Sequence, residues 1–198
     1  EKIPGEDSLQ GRGVSYCAAC DGPLFEGEKI LVVGGGSRAL EDALTLADIA
    51  QTVILVAPDE LDVDENLQNQ AEGHQSISMQ RCLQLQEIRC DEFVESALFA
   101  NSDDTETEIE ASGIFLYLHG WSPATDFLDG AVEMDDDGAI ITDELGRTDV
   151  MGVYAAGAVC KRDVSQMITA SADGCKAALE AERFVRHGTQ IRRDRVDG

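Results

Sequence analysis

Residues 28–60 read EKILVVGGGSRALEDALTLADIAQTVILVAPDE, and the reading of this stretch decides the fold. An apolar run from Ile30 to Val33 meets three glycines, Gly34 to Gly36. A helical pattern follows through Leu40, Leu44, Ala47 and Ile49, and a second apolar run spans Val53 to Val56. Strand, helix and strand in this order make a βαβ unit, the elementary piece of a parallel sheet. The turn Gly34-Gly35-Gly36-Ser37-Arg38-Ala39 fits G-x-G-x-x-A directly after a strand and at the opening of a helix. The first glycine permits the tight turn, the second lets a pyrophosphate reach the backbone, and the small Ala39 lets helix meet strand. The helix N-terminus then faces the phosphates. Asp59, just past the second strand, is placed to accept the ribose hydroxyl of NADH. No arginine stands there to hold a 2′-phosphate, so NADPH is disfavoured. A Rossmann-type half whose nucleotide site has decayed is the alternative.

Upstream of this unit stands Cys17-Ala18-Ala19-Cys20. Two sulfurs one turn apart can close a small ring, and one thiolate is stabilised by its neighbour or by a helix N-terminus. Asp21 follows directly, where a carboxyl can carry a proton to or from a leaving sulfur. Gly22 and Pro23 end the motif. The alternatives are a zinc half-site or two inert thiols. Zinc wants a second ligand pair, yet Cys82, Cys90, Cys160 and Cys175 form no second C-x-x-C, and His74, His119 and His187 are scattered, so no metal site is expected. Cys82 and Cys90 read as small hydrophobes on strands, Cys175 as a core residue of a helix, and Cys160 as exposed.

Downstream, residues 61–72 read as a polar helix, and the stretch from Ile77 to Phe99 alternates as strands do. The acidic run at 101–108 reads as a hairpin turn, and Ile114 to Leu118 as another short strand. Gly and Pro interrupt the chain near residue 120, which divides it. The sequence predicts a connecting segment at 1–13, a nucleotide-type domain with the dithiol at 14–119, a second part at 120–187 and a loose tail at 188–198. In the second part we expect short strands around Ile140, a turn at Glu144 to Gly146, a buried strand at Val153 to Ala156, and a long helix stopped by Gly188. His119 and Trp121 read as packing or turn residues.

The chain carries 39 acidic against 15 basic residues, a net charge of -24. Such a field repels nucleic acid and anionic lipid, which excludes both as partners. Lysine occurs only at positions 2, 29, 161 and 176. This balance suits a high-salt cytoplasm, where ions screen the self-repulsion; the unfolding midpoint is then expected to rise with added KCl, and a flat response would refute it. No tripartite leader opens the sequence, and no apolar stretch approaches the ~20 residues of a membrane span, so a soluble, cytoplasmic protein is expected. In a reducing compartment a close Cys pair among six cysteines points to redox chemistry rather than to a disulfide scaffold.

Taken together, GRGVSYCAACDG at 11–22, VVGGGSRALEDAL at 32–44, FLYLHGWSPATDFL at 115–128, GVYAAGAV at 152–159 and QMITASADGCKAALEAE at 166–182 resemble the low-molecular-weight thioredoxin reductases, from about residue 5 to 187. The alkyl hydroperoxide reductase flavoproteins share similar wording. The resemblance implies an α/β fold: a Rossmann-like, three-layer ββα domain of the FAD/NAD(P)-binding type plus the C-terminal half of a second such domain. It further implies FAD, a homodimer, and reduction of a thioredoxin-like protein. Cys20 would face the flavin, Cys17 would exchange with the partner, and Asp21 would serve as acid and base. Gly157, Ala158, Gln166 and Met167 would approach FAD. The chain departs from the family in three places. The family's N-terminal flavin half, with its own G-x-G-x-x-G, has no counterpart in these residues. Its Gly-Asp at the flavin is Gly157-Ala158 here and its Arg-Gln is Ser165-Gln166. Its His-Arg-Arg at the 2′-phosphate is Ala57-Pro58-Asp59. A decayed reductase homologue that senses redox state or binds protein is the rival reading.

Overall fold

The apolar runs pair side by side in the computed structural model, which describes residues 3–57, 61, 63–103, 105–118, 123–162 and 164–188. In chain order the first unit, Glu1–Gly120, holds α1 (Glu6–Leu9), β1 (Val14–Ser15), α2 (Ala18–Asp21), β2 (Lys29–Val33), α3 (Ser37–Ala47) and β3 (Thr52–Ala57). It continues with α4 (Glu65–Gly73), β4 (Ile77–Arg81), β5 (Leu83–Cys90), β6 (Val94–Asn101), β7 (Glu106–Glu110) and β8 (Gly113–Leu116). Five strands form a parallel sheet in the order β1-β8-β2-β3-β4, and β5-β6-β7 form an antiparallel sheet.

The period-two alternation of a strand sorts the parallel sheet into two buried faces. Ile30, Val32, Val53, Leu55 and Phe115 pack on Ala39, Leu40, Ala43 and Leu46 of α3 and on Ala71 of α4. Leu31, Val33, Ile54, Val56, Ile114 and Leu116 pack on Leu85, Ile88, Ala97, Phe99 and Ile109 of the antiparallel sheet. The layers are therefore antiparallel sheet, parallel sheet and helices, the ββα architecture expected from the resemblance. The segment before residue 14 joins this core: Leu9 is fully buried, and Gly5, at φ 91°, lies so close to the Ile88 carbonyl that a Cβ would stand 2.3 Å from its oxygen.

The second unit, Trp121–Gly198, is organised by α5 (Met167–His187), which ends at Gly188 in the left-handed conformation. Among the described residues its β structure is confined to single bridges, Met134 to Ile140, Ile140 to Cys160 and Arg147 to Tyr154. The buried strand expected at Val153 to Ala156 is thus replaced by one bridge, with Val153 exposed. Gly152 and Gly157, both at positive φ, bracket the stretch.

Two cysteines exchange the expected environments. Cys160 is buried, because it bridges Ile140, and Cys175 is exposed. The buried positions of α5 are Asp173, Ala177 and Glu180, and residue 175 lies on the opposite side of that 3.6-residue stripe. Cys82 sits between β4 and β5 at φ 61° rather than on a strand, and both it and Cys90 are exposed. His119 and Trp121 lie outside the described residues.

The two charges on the buried stripe are paired. Arg147 donates to Glu180 through Nε, at 3.1 Å, and through Nη2, and Arg183 adds a further bond. Arg162 Nε donates to Asp173 at 2.9 Å. These guanidinium bonds hold both carboxyls below their usual titration range. A carboxyl whose folded pKa is lowered contributes stability that is fully present above its unfolded pKa, near ~4, and that is lost as pH falls through the folded value. Glu180→Gln is accordingly expected to cost about 2 kcal/mol at neutral pH and much less near pH 3. Denaturant midpoints at the two pH values measure the difference, and equal losses would refute the charge pairing as its cause.

Candidate active site

The dithiol lies where β1 turns into the short helix α2. Cys17 is the N-cap, with extended backbone, and its Sγ accepts the Cys20 N–H at 3.2 Å. The two cysteines are joined as a disulfide, with their Cα atoms 5.3 Å apart. Cys17 is half-buried and Cys20 exposed. The turn sits against α3, since a Cβ on Gly22 would stand 3.0 Å from Leu46 Cδ2.

Asp21 is held by a residue that sequence reading missed. Ser15, 4% exposed, donates its hydroxyl to Asp21 Oδ2 at 2.6 Å and accepts the Cys17 N–H at 3.2 Å. One buried hydroxyl therefore couples the carboxyl to the backbone of Cys17. The signal was available: a serine two residues before a turn commonly accepts the i+2 amide and competes with regular structure for it.

The glycine-rich turn connects β2 to α3. Gly34, at φ 151°, donates its N–H to the Val56 carbonyl at 2.9 Å. A Cβ there would meet the Tyr117 carbonyl oxygen at 2.7 Å. Gly36 is the N-cap of α3 and has no capping side chain, and a Cβ on it would meet nothing within 4 Å. That open space lies at the N-terminus of α3, the end of a helix that favours an anion. Gly35 is half-buried, Ser37 and Arg38 are exposed, and Ala39 is buried against the sheet. A cavity of about 700 Å³ opens beside Gly34 and Gly35 and is lined by Val56, Ala57, Tyr117 and Leu118, at the carboxyl ends of three parallel strands, where open α/β sheets take their ligands. Asp59 lies outside the described residues.

The residues expected near FAD fall in the second unit. Gly157, at φ 80°, opens a single 3-10 turn, and a Cβ on it would stand 3.3 Å from Ala170 Cβ. Ala158 is exposed. Gln166 caps α5, its N–H bound to Thr169 Oγ1 at 3.1 Å, and Met167 begins the helix 86% exposed. This set offers backbone groups and an apolar thioether. Ala158 brings no carboxylate, and that of Asp173 is occupied by Arg162.

The structure thus gathers Cys17, Cys20 and Asp21 in one turn, Gly34 to Ala39 in a second turn of the same unit, and Gly157, Ala158, Gln166 and Met167 in the other unit. Among the described residues, no His, Cys, Asp and Glu side chains assemble a metal site, and no helix is long and apolar enough to cross a membrane.

The family model described as pyridine nucleotide-disulphide oxidoreductase matches residues 2–174. The thioredoxin reductase of Peptoclostridium acidaminophilum is 40% identical over 190 residues, covering 92% of this chain and 60% of the relative. An alkyl hydroperoxide reductase protein of Xanthomonas campestris pv. phaseoli is 38% identical over 182 residues, covering 90% of this chain and 34% of that protein. The crystal structure of thioredoxin reductase from Streptococcus pyogenes MGAS5005 superposes with a TM-score of 0.85 at 33% identity, over 94% of this chain and 61% of that one. The chain therefore spans about three-fifths of the length of the thioredoxin reductases it matches.

Proposed function

Because the chain belongs to the pyridine nucleotide-disulphide oxidoreductase family, we propose that it performs the dithiol half-reaction of a flavin-dependent oxidoreductase acting on a thioredoxin-like protein disulfide. The observation that supports this most is the Cys17–Cys20 disulfide with Asp21 one hydroxyl away from the Cys17 amide. FAD, when bound, supplies the electron pair that opens this bond, and Gly157, Ala158, Gln166 and Met167 are the residues of this chain assigned to it.

The chemistry of the chain's own residues follows. The opened pair takes up two electrons and two protons. The Cys17 thiolate attacks one partner sulfur, breaking the partner's S–S bond, and Asp21 gives the leaving sulfur its proton. Cys20 then attacks Cys17 Sγ in the mixed disulfide, and the proton it gives up passes to the second partner sulfur as that sulfur leaves. This restores the Cys17–Cys20 bond and releases the partner as a dithiol. Ser15 holds the Asp21 carboxyl through its hydroxyl throughout. The upstream donor is NADH, bound on Gly34 to Ala39 with Asp59 at its ribose; two copies of the chain form the working unit.

The direct test uses the chain alone. Protein reduced with dithiothreitol and freed of it is mixed with oxidised thioredoxin, and the new partner thiols are counted by alkylation and mass shift. One partner disulfide is expected to open per chain. Transfer no faster than from free cysteine would sink the proposal. The rival reading, a redox-sensing or protein-binding module, draws on Ala158 and Ser165 in place of the family's charged residues, and predicts binding without that transfer.

A further inference from the structure

Ser15 is the last residue of β1, where the chain leaves the sheet for the redox turn. It lies opposite Phe115 of β8 in the ladder, and it is buried. Its hydroxyl oxygen accepts the Cys17 N–H at 3.2 Å, and its proton goes to Asp21 Oδ2 at 2.6 Å. Asp21 is tied to Cys17 a second time, its N–H donating to the Cys17 carbonyl at 3.1 Å. An alcohol has a single proton to give. With that proton committed to Oδ2, a neutral Asp21 carries its own on Oδ1. A proton on Oδ2 instead would turn the serine's proton away from its acceptor inside a buried site, which is unfavourable.

The acid is needed after the ring has opened, when Cys17 attacks and a partner sulfur leaves. The helix α2 that ends in Asp21 is a single turn, Ala18–Asp21, and the Cys17–Cys20 bond closes it. Opening that bond removes the crosslink from the segment that carries the carboxyl. Ser15 stands outside the ring, on a strand whose place is set by its ladder with β8. We propose that Ser15 is a positioning residue for the proton transfer: from the sheet it holds Oδ2 in both redox states, keeps the carboxyl in register with Cys17, and leaves Oδ1 as the oxygen that hands over the proton. This rests on the reading of Cys17 and Cys20 as the working pair. It also names the substrate class the device serves, disulfides of alkyl thiols such as protein cysteines, whose sulfurs leave poorly without a proton.

The experiment mixes the full chain, reduced with dithiothreitol and freed of it, with two uncharged disulfides. In each reaction Cys17 and Cys20 give up two electrons and two protons and form their S–S bond, while the probe's S–S bond breaks to yield two small thiols. Hydroxyethyl disulfide has an alkyl leaving sulfur that needs the proton, whereas dithiodipyridine releases an aromatic one that departs without it. Ser15→Ala removes one oxygen, and it is expected to slow the first reaction roughly ten- to a hundredfold and to leave the second within about twofold. Asp21→Asn is expected to show the same split, at least as large, and the double variant to be no slower than Asp21→Asn alone. A general disturbance of the turn would slow both probes together. Equal slowing of both by Ser15→Ala, slowing of neither, an Asp21→Asn variant without the split, or losses that multiply in the double variant overturns this proposal and leaves the dithiol reading standing. A wild-type chain that opens neither probe sinks the two together.

Discussion

Cys20→Ser is expected to stop turnover against a thioredoxin-like disulfide by on the order of 10³-fold or more while leaving the protein able to capture its partner. Serine at 20 cannot attack the mixed disulfide, so the species formed by Cys17 has no route to resolution within the chain. It should accumulate as a covalent adduct that survives a denaturing gel and disappears on adding thiol. Cys17→Ser is expected to be equally inactive and to trap nothing. Loss of so small a ring costs at most about 2 kcal/mol by chain entropy, so both variants should remain folded. Cys17 is half-buried and Cys20 exposed, which makes the comparison informative. Trapping by Cys17→Ser alone would reverse the two roles, and trapping by neither would remove the exchange mechanism.

The second large effect separates two neighbouring glycines. Gly34→Ala places a Cβ 2.7 Å from a backbone oxygen at φ 151°, where neither side can yield cheaply, and should cost about 3 kcal/mol of stability. Gly36→Asp meets open space at an extended N-cap position, where aspartate is a better cap than glycine by a few tenths of a kcal/mol. The same carboxylate fills and charges the place proposed for the diphosphate, so NADH affinity should fall at least ~100-fold, about 2.7 kcal/mol. Stability and binding are thus expected to move in opposite directions in one variant. Calorimetric melting and NADH titration measure the two, and undiminished NADH affinity would refute the assignment of this turn.

The parallel sheet was legible because its strands are fully buried: Ile30 to Val33 and Val53 to Val56 appear as unbroken apolar runs, and the glycines between them mark the turn. The dithiol was legible because its chemistry needs adjacent sulfurs. Ser15 carries a local signal, a hydroxyl placed to accept the i+2 amide, but its burial shows only once the fold encloses it. Asp173 and Glu180 broke the apolar stripe of α5 as written, although they occupy it in space, because Arg162 and Arg147 arrive from distant segments to pair with them. Cys175 was misplaced for a related reason: the phase of a helix whose buried stripe includes charges cannot be taken from hydrophobicity alone. Cys160 is buried through its bridge to Ile140, a pairing that local sequence does not display.

The strand order also carries a consequence for biosynthesis. β1, which leads straight into the redox turn, has β8 as its only neighbour among the described strands of the sheet, and β8 is made after all the others. The β5-β6-β7 meander can form from local contacts as it emerges, whereas β1 must wait for the far end of the unit. During synthesis the strand that leads into the two sulfurs therefore lacks its ladder partner until β8 slots between β1 and β2.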